Sequence, residues 1–409
     1  MVSVSVEDRT ELPLTNNVKS NPIFHVQERQ IFRNMLSEDA VRKIIKVAEN
    51  PEDSVKLPHC TKPGTHGEEY TYESPEWWTS GFFPGSLWAL YERSQKKELS
   101  ISKSKLKELC ELWIDRIEAQ KDNTETHDIG FMIMPSFQRK YNLEKDTTAG
   151  ETIVHAANTL LLRWNEKVGC LKSWNHAITK AYNFSGPTDF PVIIDNMMNL
   201  DLLYSATAIT GDQKYADIAT KHAETTLKNH IRSDWSSFHL VMYDSVTGAR
   251  KIGLTCQGYQ HESCWSRGQA WALYGFASVY QYTGQRKYLD AAKKLANYFV
   301  SKLDNGIVYW DFDAPRPCVW DISAAMIAAS GMLLICQLEG TVEYLSSVAL
   351  ILAVAQRNAL TGNNGDTILD HSTVNNYEYA FDRIFDTGLV YADYYFLEVG
   401  NRLIDMNLV

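Results

Sequence analysis

The segments AITGDQKYADIATKHAETTLKNHI (residues 208–231) and QYTGQRKYLDAAKKLANYFVSKL (residues 281–303) resemble each other, and they decide the fold. Both contain Thr-Gly, then Lys-Tyr, then alanines at helical spacing, and their glycines, Gly211 and Gly284, lie 73 residues apart. Each glycine suits the end of a helix, where a positive φ is needed, and each precedes an amphipathic pattern. The pair therefore predicts a repeating unit of one helix, a tight turn and a second helix.

Looser copies of this unit occur along the rest of the chain, whereas strong strand alternation is scarce. Apolar helices are predicted after six polar or small-residue starts, at Trp77, His127, Ile193, Ser266, Asp321 and Phe385. An amphipathic helix follows each of them except the last. Six such hairpins can close into a ring with the apolar helices inside. The predicted fold class is therefore all-α, an (α/α)6 barrel of six helical hairpins.

Composition narrows the class of protein. The 409 residues are 44% hydrophobic and 22% charged, which is typical of a globular chain. We expect residues 1–22 to form a flexible polar arm and residues 23–409 to form a single catalytic barrel domain. The net charge of −10 argues against a nucleic-acid partner, which would need clustered Lys and Arg.

The cysteines and the apolar runs bear on location. Seven scattered cysteines include no CxxC pair, and the first residues lack the pattern of a secretory signal, so we expect a cytoplasmic protein. The longest apolar run, near Ala324 to Cys336, is too short to span a bilayer, and no membrane partner is expected. The sequence leaves a monomer and a homodimer equally open.

A closed ring would bring the N-terminal ends of the inner helices to one face. The polar residues at these ends would then surround one cavity: His127, Asp128, Asp195, Arg267, Gln269, Asp321 and Asp386. An aspartate before a helix is very often only an N-cap, and Asp321 and Asp386 both suit that role. Asp195 differs because apolar residues flank it on both sides. Burial there would raise its pKa and suit it to act as a general acid.

The chemistry that the sequence favours is acid–base catalysis by carboxylates. The chain contains no phosphate-binding glycine loop, no HExxH and no GxSxG. Cys256, His261 and Cys264 lack a zinc-like spacing and a fourth ligand, so neither a metal nor another cofactor is expected. Asp128 and Asp195 would begin adjacent inner helices. Two facing carboxylates have separated pKa values, as cleavage of a glycosidic bond requires.

Aromatic and basic side chains near these helix ends suit a sugar substrate. Trp77, Trp78, Trp265 and Trp271 can stack on sugar rings, although core packing is expected for at least half of them. The planar guanidinium of Arg267 matches a substrate carboxylate. A salt bridge to an Asp or Glu is an equally good interpretation of Arg267.

Three segments, HDIGF (127–131), IIDNMMNL (193–200) and QGYQHESCWSRGQAWALYGF (257–276), together resemble the unsaturated glucuronyl hydrolases of glycoside hydrolase family 88. The resemblance extends from about Trp77 to the end of the chain. That family has an (α/α)6 barrel, in agreement with the predicted hairpins. The resemblance implies a hydrolase that removes a C4=C5-unsaturated uronic acid from the non-reducing end of lyase-generated, glycosaminoglycan-type oligosaccharides.

The mechanism that the resemblance implies is hydration of the vinyl ether. Asp195 matches the residue that protonates C4 and then helps water to add at C5, and Asp128 matches the second carboxylate. The implied substrate-binding residues are His127, Trp78, His239, Gln257, Arg267 and Trp271, with Trp77 as an alternative to Trp78. Residues 369–389 help in that family to choose between sulfated and unsulfated sugars. They contain no clear basic cluster here, which favours unsulfated substrates.

Three alternatives share some of these features. The unsaturated rhamnogalacturonyl hydrolases of family 105 have the same barrel and chemistry but act on pectin fragments. A sugar epimerase on this barrel would use paired histidines, here His127 and His239, and Asp195 would be incidental. A non-catalytic helical-repeat binding protein would leave two carboxylates in apolar runs without a purpose.

Overall fold

The computed structural model describes residues 26–50 and 55–409, so the predicted arm, residues 1–22, lies outside the described residues. The described part of the chain forms thirteen α-helices in two layers. The inner layer consists of α3 (Phe82–Ser94), α5 (Ile129–Glu144), α7 (Asp201–Thr210), α9 (Ser266–Thr283), α11 (Ile322–Glu339) and α13 (Val390–Asp405). The outer layer consists of α1 (Val26–Asn34), α2 (Glu38–Glu49), α4 (Lys103–Ile114), α6 (Thr147–Leu161), α8 (Lys214–Asn229), α10 (Arg286–Ser301) and α12 (Leu345–Asn358).

The inner helices close into a ring, because each packs on the next and α13 packs back on α3. The 3₁₀ segment Ile194–Met198 lies before α7 in the ring. This segment, rather than α7 itself, makes most of the contact with α9. The two predicted turns are confirmed: Gly211 ends α7 with a φ of 74°, and Gly284 ends α9 with a φ of 65°. The ring confirms the predicted (α/α)6 barrel.

The N-terminal helices complete the outer layer next to α13. α1 packs on α12, and α2 packs on α3 and α4. The buried face of α2 follows the helical period, and its members are Ala40, Val41, Lys43, Ile44, Val47 and Ala48. The ammonium of Lys43 is buried with this face and donates to the carbonyl oxygens of Thr361 and Thr367, at 3.0 and 3.1 Å. The first described helices therefore contact α3, α4, α12 and the segment between α12 and α13.

Small antiparallel sheets connect the helices, and the sequence pattern did not predict them. The described ranges contain five: β1 (Leu57–Thr61) with β2 (Tyr70–Glu73), β3 (Trp164–Asn165) with β4 (Cys170–Leu171), β5 (Ala177–Ile178) with β6 (Asn183–Phe184), β7 (Asp189–Ile193) with β8 (Leu240–Asp244) and β9 (Arg250–Leu254), and β10 (Ser372–Asn375) with β11 (Ile384–Thr387). The expected helix start at Ile193 was wrong, because Ile193 ends β7 and α7 begins only at Asp201.

The apolar run near Ala324 to Cys336 lies in α11, whose 18 residues are long and apolar enough to cross a membrane by length and composition alone, so the expectation that this run is too short was wrong. However, 83% of its most apolar window is buried inside the protein. α11 packs on α9, α12 and α13, so it meets apolar neighbours on several sides. A helix that is surrounded by other helices in this way must be hydrophobic on all sides.

The close contact between α9 and α11 depends on Gly331. A Cβ atom at this position would lie 2.5 Å from Leu273 Cδ1 and 2.9 Å from Tyr274 Cβ. We expect Gly331→Ala to lower the free energy of unfolding by about 1–3 kcal/mol, although alanine favours helices, because overpacking must push the two helices apart. Urea denaturation followed by circular dichroism would measure the change.

Gly150→Ala in α6 is the matched control. Its added Cβ would approach only the ring edge of Tyr141, at 3.0 Å, and a side chain can move. We expect this variant to be neutral or slightly more stable than the wild type. Equal destabilisation of both variants would show that packing between α9 and α11 is not the cause.

Candidate active site

Asp195 lies in the 3₁₀ segment directly after β7, and the residue is only 7% exposed. Its Oδ2 has no hydrogen-bond partner among the described residues. Burial raises the pKa of Asp195 to about 7; the positive charge of Arg267 opposes this rise, and the charge of Asp128 adds to it. A carboxyl group with this pKa populates both protonation states near neutral pH, as a general acid and base must.

Asp128 stands at the N-cap position of α5, yet within the described residues its side chain makes no capping hydrogen bond. Instead, Thr126 Oγ1 donates to Asp128 Oδ2 at 2.6 Å, and His127 Nε2 lies 3.2 Å from Asp128 Oδ1. Asp321 behaves differently: it caps α11 by accepting from the backbone N–H groups of Ser323 and Ala324, as predicted. Capping therefore explains Asp321 but does not explain Asp128.

Ser173 links the backbone next to Asp128 to the backbone strand that leads to Asp195. Its carbonyl oxygen accepts from the backbone N–H of His127 at 3.1 Å, and its hydroxyl accepts from the backbone N–H of Ile193 at 2.9 Å. Asn199 makes a second link, because its Oδ1 accepts from the backbone N–H of Phe131 at 2.8 Å. The start of α5 and the segment that carries Asp195 are thus joined on both sides.

His239 immediately precedes β8 and is 3% exposed. Its Nε2 lies 4.0 Å from Asp195 Oδ2, and its ring centroid lies 4.4 Å from that of Trp265. Burial lowers the pKa of His239 to about 3, so the imidazole is neutral near pH 7. The structure therefore places a neutral His239 beside Asp195, and its contact with substrate stays a prediction.

His127 lies behind Asp128 and is fully buried. Burial lowers the pKa of its imidazole, and the charge of Asp128 opposes this. The structure gives His127 the position of a support for Asp128, and a sugar ring does not reach it without movement of its neighbours. Direct contact between His127 and substrate stays a prediction.

Arg267 forms the salt bridge that was one of its two interpretations. Its Nη1 lies 2.9 Å from Asp321 Oδ2 and also donates to the carbonyl oxygen of Thr373. Its Nη2 donates to the carbonyl oxygen of Val374 at 2.6 Å and contacts Gln257 Oε1 at 3.5 Å. A substrate carboxylate that bound these Nη atoms would have to displace their partners. The structure therefore supports an electrostatic effect of Arg267 on Asp195 more directly than it supports binding of a substrate carboxylate.

The four candidate tryptophans divide into two pairs. Trp265 and Trp271 are 2% and 0% exposed, which confirms core packing for half of them. The ring of Trp271 packs on that of Phe131, with 5.1 Å between the centroids. Its indole N–H favours the charged form of Asp195, although Nε1 makes no hydrogen bond of normal geometry in the described part of the chain. Trp78 is half-buried and packs on the same Phe131, at 5.7 Å. Trp77 is 44% exposed and turns towards His59 instead, so Trp78 is the one that adjoins this cluster.

Two of the polar residues at the predicted helix starts do not take the roles expected of them. Gln269 is buried, and its Nε2 donates to the carbonyl oxygens of Trp235 and Leu295, towards the outer layer. Asp386 is not the cap of an inner helix: it lies in β11 with a φ of 55° and contacts His371 Nδ1 at 2.6 Å. These two expectations were wrong, because proximity to a helix start in sequence does not fix the direction of a side chain.

The three residues that were considered and rejected as metal ligands have separate partners. Cys256 Sγ lies 3.8 Å from His239 Nδ1, His261 Nδ1 accepts from the backbone N–H of Thr255, and Cys264 Sγ donates to Gln269 Oε1. Across residues 26–50 and 55–409, no group of three or more His, Cys, Asp or Glu side chains is placed to hold a metal ion.

Sequence reasoning missed Thr255, which follows β9 and contacts His239 Nδ1 through its hydroxyl group at 3.2 Å. Register explains the convergence: Ile193 pairs with Leu240, and Leu240 pairs with Leu254. Residues just beyond these three therefore meet at one end of the three-stranded sheet. A signal was present in LTCQGY, where a polar residue separates an apolar strand from a glycine turn.

Several buried polar atoms around Asp195 lack partners within the described residues. They are Asp195 Oδ2, His239 Nε2, Trp271 Nε1, Trp265 Nε1, Arg267 Nε and both ring nitrogens of His127. Folded proteins leave few such groups unsatisfied, and each costs free energy. Their concentration around one carboxyl group is expected where a substrate and water complete the bonding. The arrangement can transfer a proton and bind a polar molecule.

Comparisons with known proteins agree with this geometry. Residues 56–311 match the model of Glycosyl Hydrolase Family 88. The chain is 39% identical over 338 residues to an unsaturated glucuronyl hydrolase of Formosa agariphila, which covers 80% of this chain and 79% of that protein. It is 32% identical to an unsaturated chondroitin disaccharide hydrolase of Streptococcus pneumoniae, over 90% and 92% of the two chains.

Solved structures give the same result. The fold resembles that of an unsaturated glucuronyl hydrolase specific for heparin, with a TM-score of 0.80 and 29% identity, over 94% of this chain and 98% of the other. The family model covers more than half of this chain, and the alignments with the two relatives cover at least 79% of each protein. The chain therefore belongs to glycosyl hydrolase family 88 and is a glycoside hydrolase.

Proposed function

We propose that this enzyme removes the 4,5-unsaturated uronic acid from the non-reducing end of oligosaccharides that polysaccharide lyases release from glycosaminoglycans. The observation that carries the proposal is Asp195, a nearly buried carboxyl group whose pKa is about 7 and whose Oδ2 has no partner among the described residues. Relatives named for unsaturated glucuronyl and chondroitin disaccharide substrates support the substrate class. A cytoplasmic location is part of the proposal, supported by seven cysteines that are all free.

The reaction begins with protonated Asp195, which gives its proton to C4 of the vinyl ether. Positive charge develops at C5 and is shared with the ring oxygen. The Asp195 carboxylate then takes a proton from water as the water oxygen bonds to C5, which regenerates the acid. The resulting hemiketal opens by breaking the bond between C5 and the ring oxygen. The hemiacetal left at C1 then expels the remaining sugar as an alcohol and becomes an aldehyde.

Asp128 supports Asp195 through charge. As an anion close to Asp195, it raises the pKa of that carboxyl group and so keeps a proton available. Thr126 donates a hydrogen bond to the Asp128 carboxylate, and His127 Nε2 lies 3.2 Å from its other oxygen. Asp128 would also accept a hydrogen bond from the attacking water.

The epimerase alternative finds little support in the histidines. Burial lowers the pKa of His239 to about 3 and also lowers the pKa of His127. An epimerase would need two histidines that exchange protons near neutral pH. The family 105 alternative differs only in substrate, and a panel of unsaturated disaccharides separates the two.

We expect the wild-type protein to bleach the near-ultraviolet absorbance of unsaturated disaccharides from chondroitin, hyaluronan or heparin, with unsulfated ones preferred, and to leave pectin-derived ones largely unchanged. Asp195→Asn should lose about 10²- to 10⁴-fold in rate, because the amide cannot donate a proton to C4. Asp201→Asn is the matched control, since burial also raises the pKa of Asp201, to about 6, but this half-buried residue bonds to Ser278 away from the site. Equal losses in both variants would contradict the assigned role of Asp195.

The rate should depend on pH through Asp195. Its protonated form is the acid, so kcat/KM should fall about tenfold per pH unit above pH 7 and level off below it. Asp128→Asn removes a charge that raises this pKa, so the falling limb of its residual activity should move to lower pH. A rate that instead rises through pH 7 would show that the ionised carboxylate begins the reaction.

The stability of Asp195→Asn should also depend on pH. The pKa of Asp195 is raised in the folded state, to about 7, so its ionisation opposes folding increasingly from about pH 4 to pH 7 and constantly above. Asparagine does not ionise. The variant should therefore gain stability over the wild type across this window, by up to roughly 4 kcal/mol at pH 8. Denaturation at pH 4 and pH 8 measures it, and an equal difference between the variant and the wild type at the two pH values would contradict the raised pKa of Asp195.

A further inference from the structure

Thr255 is fixed on both sides by its backbone. Its N–H donates to His261 Nδ1 at 3.2 Å, and its carbonyl oxygen accepts from the hydroxyl group of Tyr182 at 3.0 Å. The residue is 2% exposed. Neither its position nor the direction of its side chain can therefore vary much.

Among the described residues, the hydroxyl group of Thr255 has only one acceptor for its proton. Its Oγ1 accepts from the backbone N–H of Gly258 at 2.8 Å and from that of Gln257 at 3.4 Å. The remaining close partner is His239 Nδ1, at 3.2 Å. Gly258 allows this tight turn, because a Cβ there would lie 3.0 Å from Thr255 Oγ1 and 2.8 Å from Asp311 Oδ2.

The ring of His239 must then carry its proton on Nε2. The imidazole is neutral, since burial lowers its pKa to about 3, and a neutral ring has one N–H and one acceptor nitrogen. Nδ1 is the acceptor, because the backbone N–H of Cys256 also points at it, from 3.3 Å, and can only donate. The Nε2–H group therefore faces Asp195 Oδ2 across 4.0 Å, and both atoms lack a partner within the described ranges.

We propose that Thr255 is a positioning residue of the active site: its hydroxyl group holds His239 in the Nε2–H tautomer, so that a hydrogen-bond donor faces the space beside Asp195. A gap of 4.0 Å is too long for a direct hydrogen bond and suits an oxygen atom that contacts both groups. In the reaction this is an oxygen of the substrate or of the attacking water. This catalytic consequence rests on the proposed function, whereas the tautomer does not.

The tautomer is measured by nitrogen NMR of the whole protein labelled with ¹⁵N-histidine. The signals of His239 are those that disappear in His239→Gln. We expect a protonated Nε2 and an unprotonated, hydrogen-bonded Nδ1 in the wild type and in Thr255→Ser, which keeps the hydroxyl group. In Thr255→Val the Nδ1 signal should shift towards that of an unbonded nitrogen. A wild-type ring protonated on Nδ1 overturns the proposal, whatever the activity.

Kinetics test the consequence. Thr255→Val should lower kcat by about tenfold, as expected for loss of one hydrogen bond, and Thr255→Ser should retain most of the rate. In the His239→Gln background, Thr255→Val should cost nothing further, because its effect passes through the ring. Equal rates of the Ser and Val variants, or a full additional loss in that background, would overturn the positioning role. A correct tautomer in a protein that bleaches no unsaturated disaccharide would refute the proposed function alone.

Discussion

Closure of the inner ring is the constraint on which the site depends. Successive inner helices are joined through an outer helix, so all of them run in the same direction and present their N-terminal ends on one face. Asp128 precedes α5, Asp195 precedes α7 and Asp321 precedes α11. Residues that are far apart in the chain therefore meet at this face of the ring.

The two ends of the barrel interior treat polar groups differently. Deeper along the inner helices, Glu398 accepts from Ser330 Oγ at 2.6 Å and from Tyr274 OH at 2.5 Å, and it pairs with Arg139 at 3.2 Å. That network is satisfied by side chains of the ring itself. Around Asp195 the polar atoms have few partners in the described part of the chain, and the cost must be met by the apolar packing of the helices. The folded protein thus holds these unpaired polar groups in place, and substrate and water would supply their hydrogen-bond partners.

The sequence predicted the ring and the two aspartates for the same reason. Apolar residues at helical spacing identify inner helices, and a carboxylate within such a run is unusual enough to be noticed. Strands of two to five residues, by contrast, are too short to show a period, so the sheet that aligns Asp195, His239 and Thr255 was missed. Sequence found His239 only through family resemblance, and it could not find Thr255 without the register.

Side-chain directions and pairing between hairpins were the other features that the sequence could not predict. Gln269 lies two residues after Arg267 in α9, which turns its side chain to the opposite face of the helix. The two interpretations of Arg267 could not be separated in advance, because its partner Asp321 lies in another hairpin. Asp386 precedes α13 in sequence but belongs to a hairpin with left-handed backbone at that residue.

The packing of α13 between α3 and α11 also sets an order of events during synthesis. α2 and α3 emerge from the ribosome early, whereas α13 emerges after every other inner helix. Until then the slot between α3 and α11 stands open, and the apolar faces that will line it are exposed to chaperones and to other chains. Because Tyr391 of α13 packs on Trp78 and on the guanidinium of Arg267, the walls of the catalytic centre are completed only when this last helix inserts. A nascent chain therefore stays inactive until its barrel is whole.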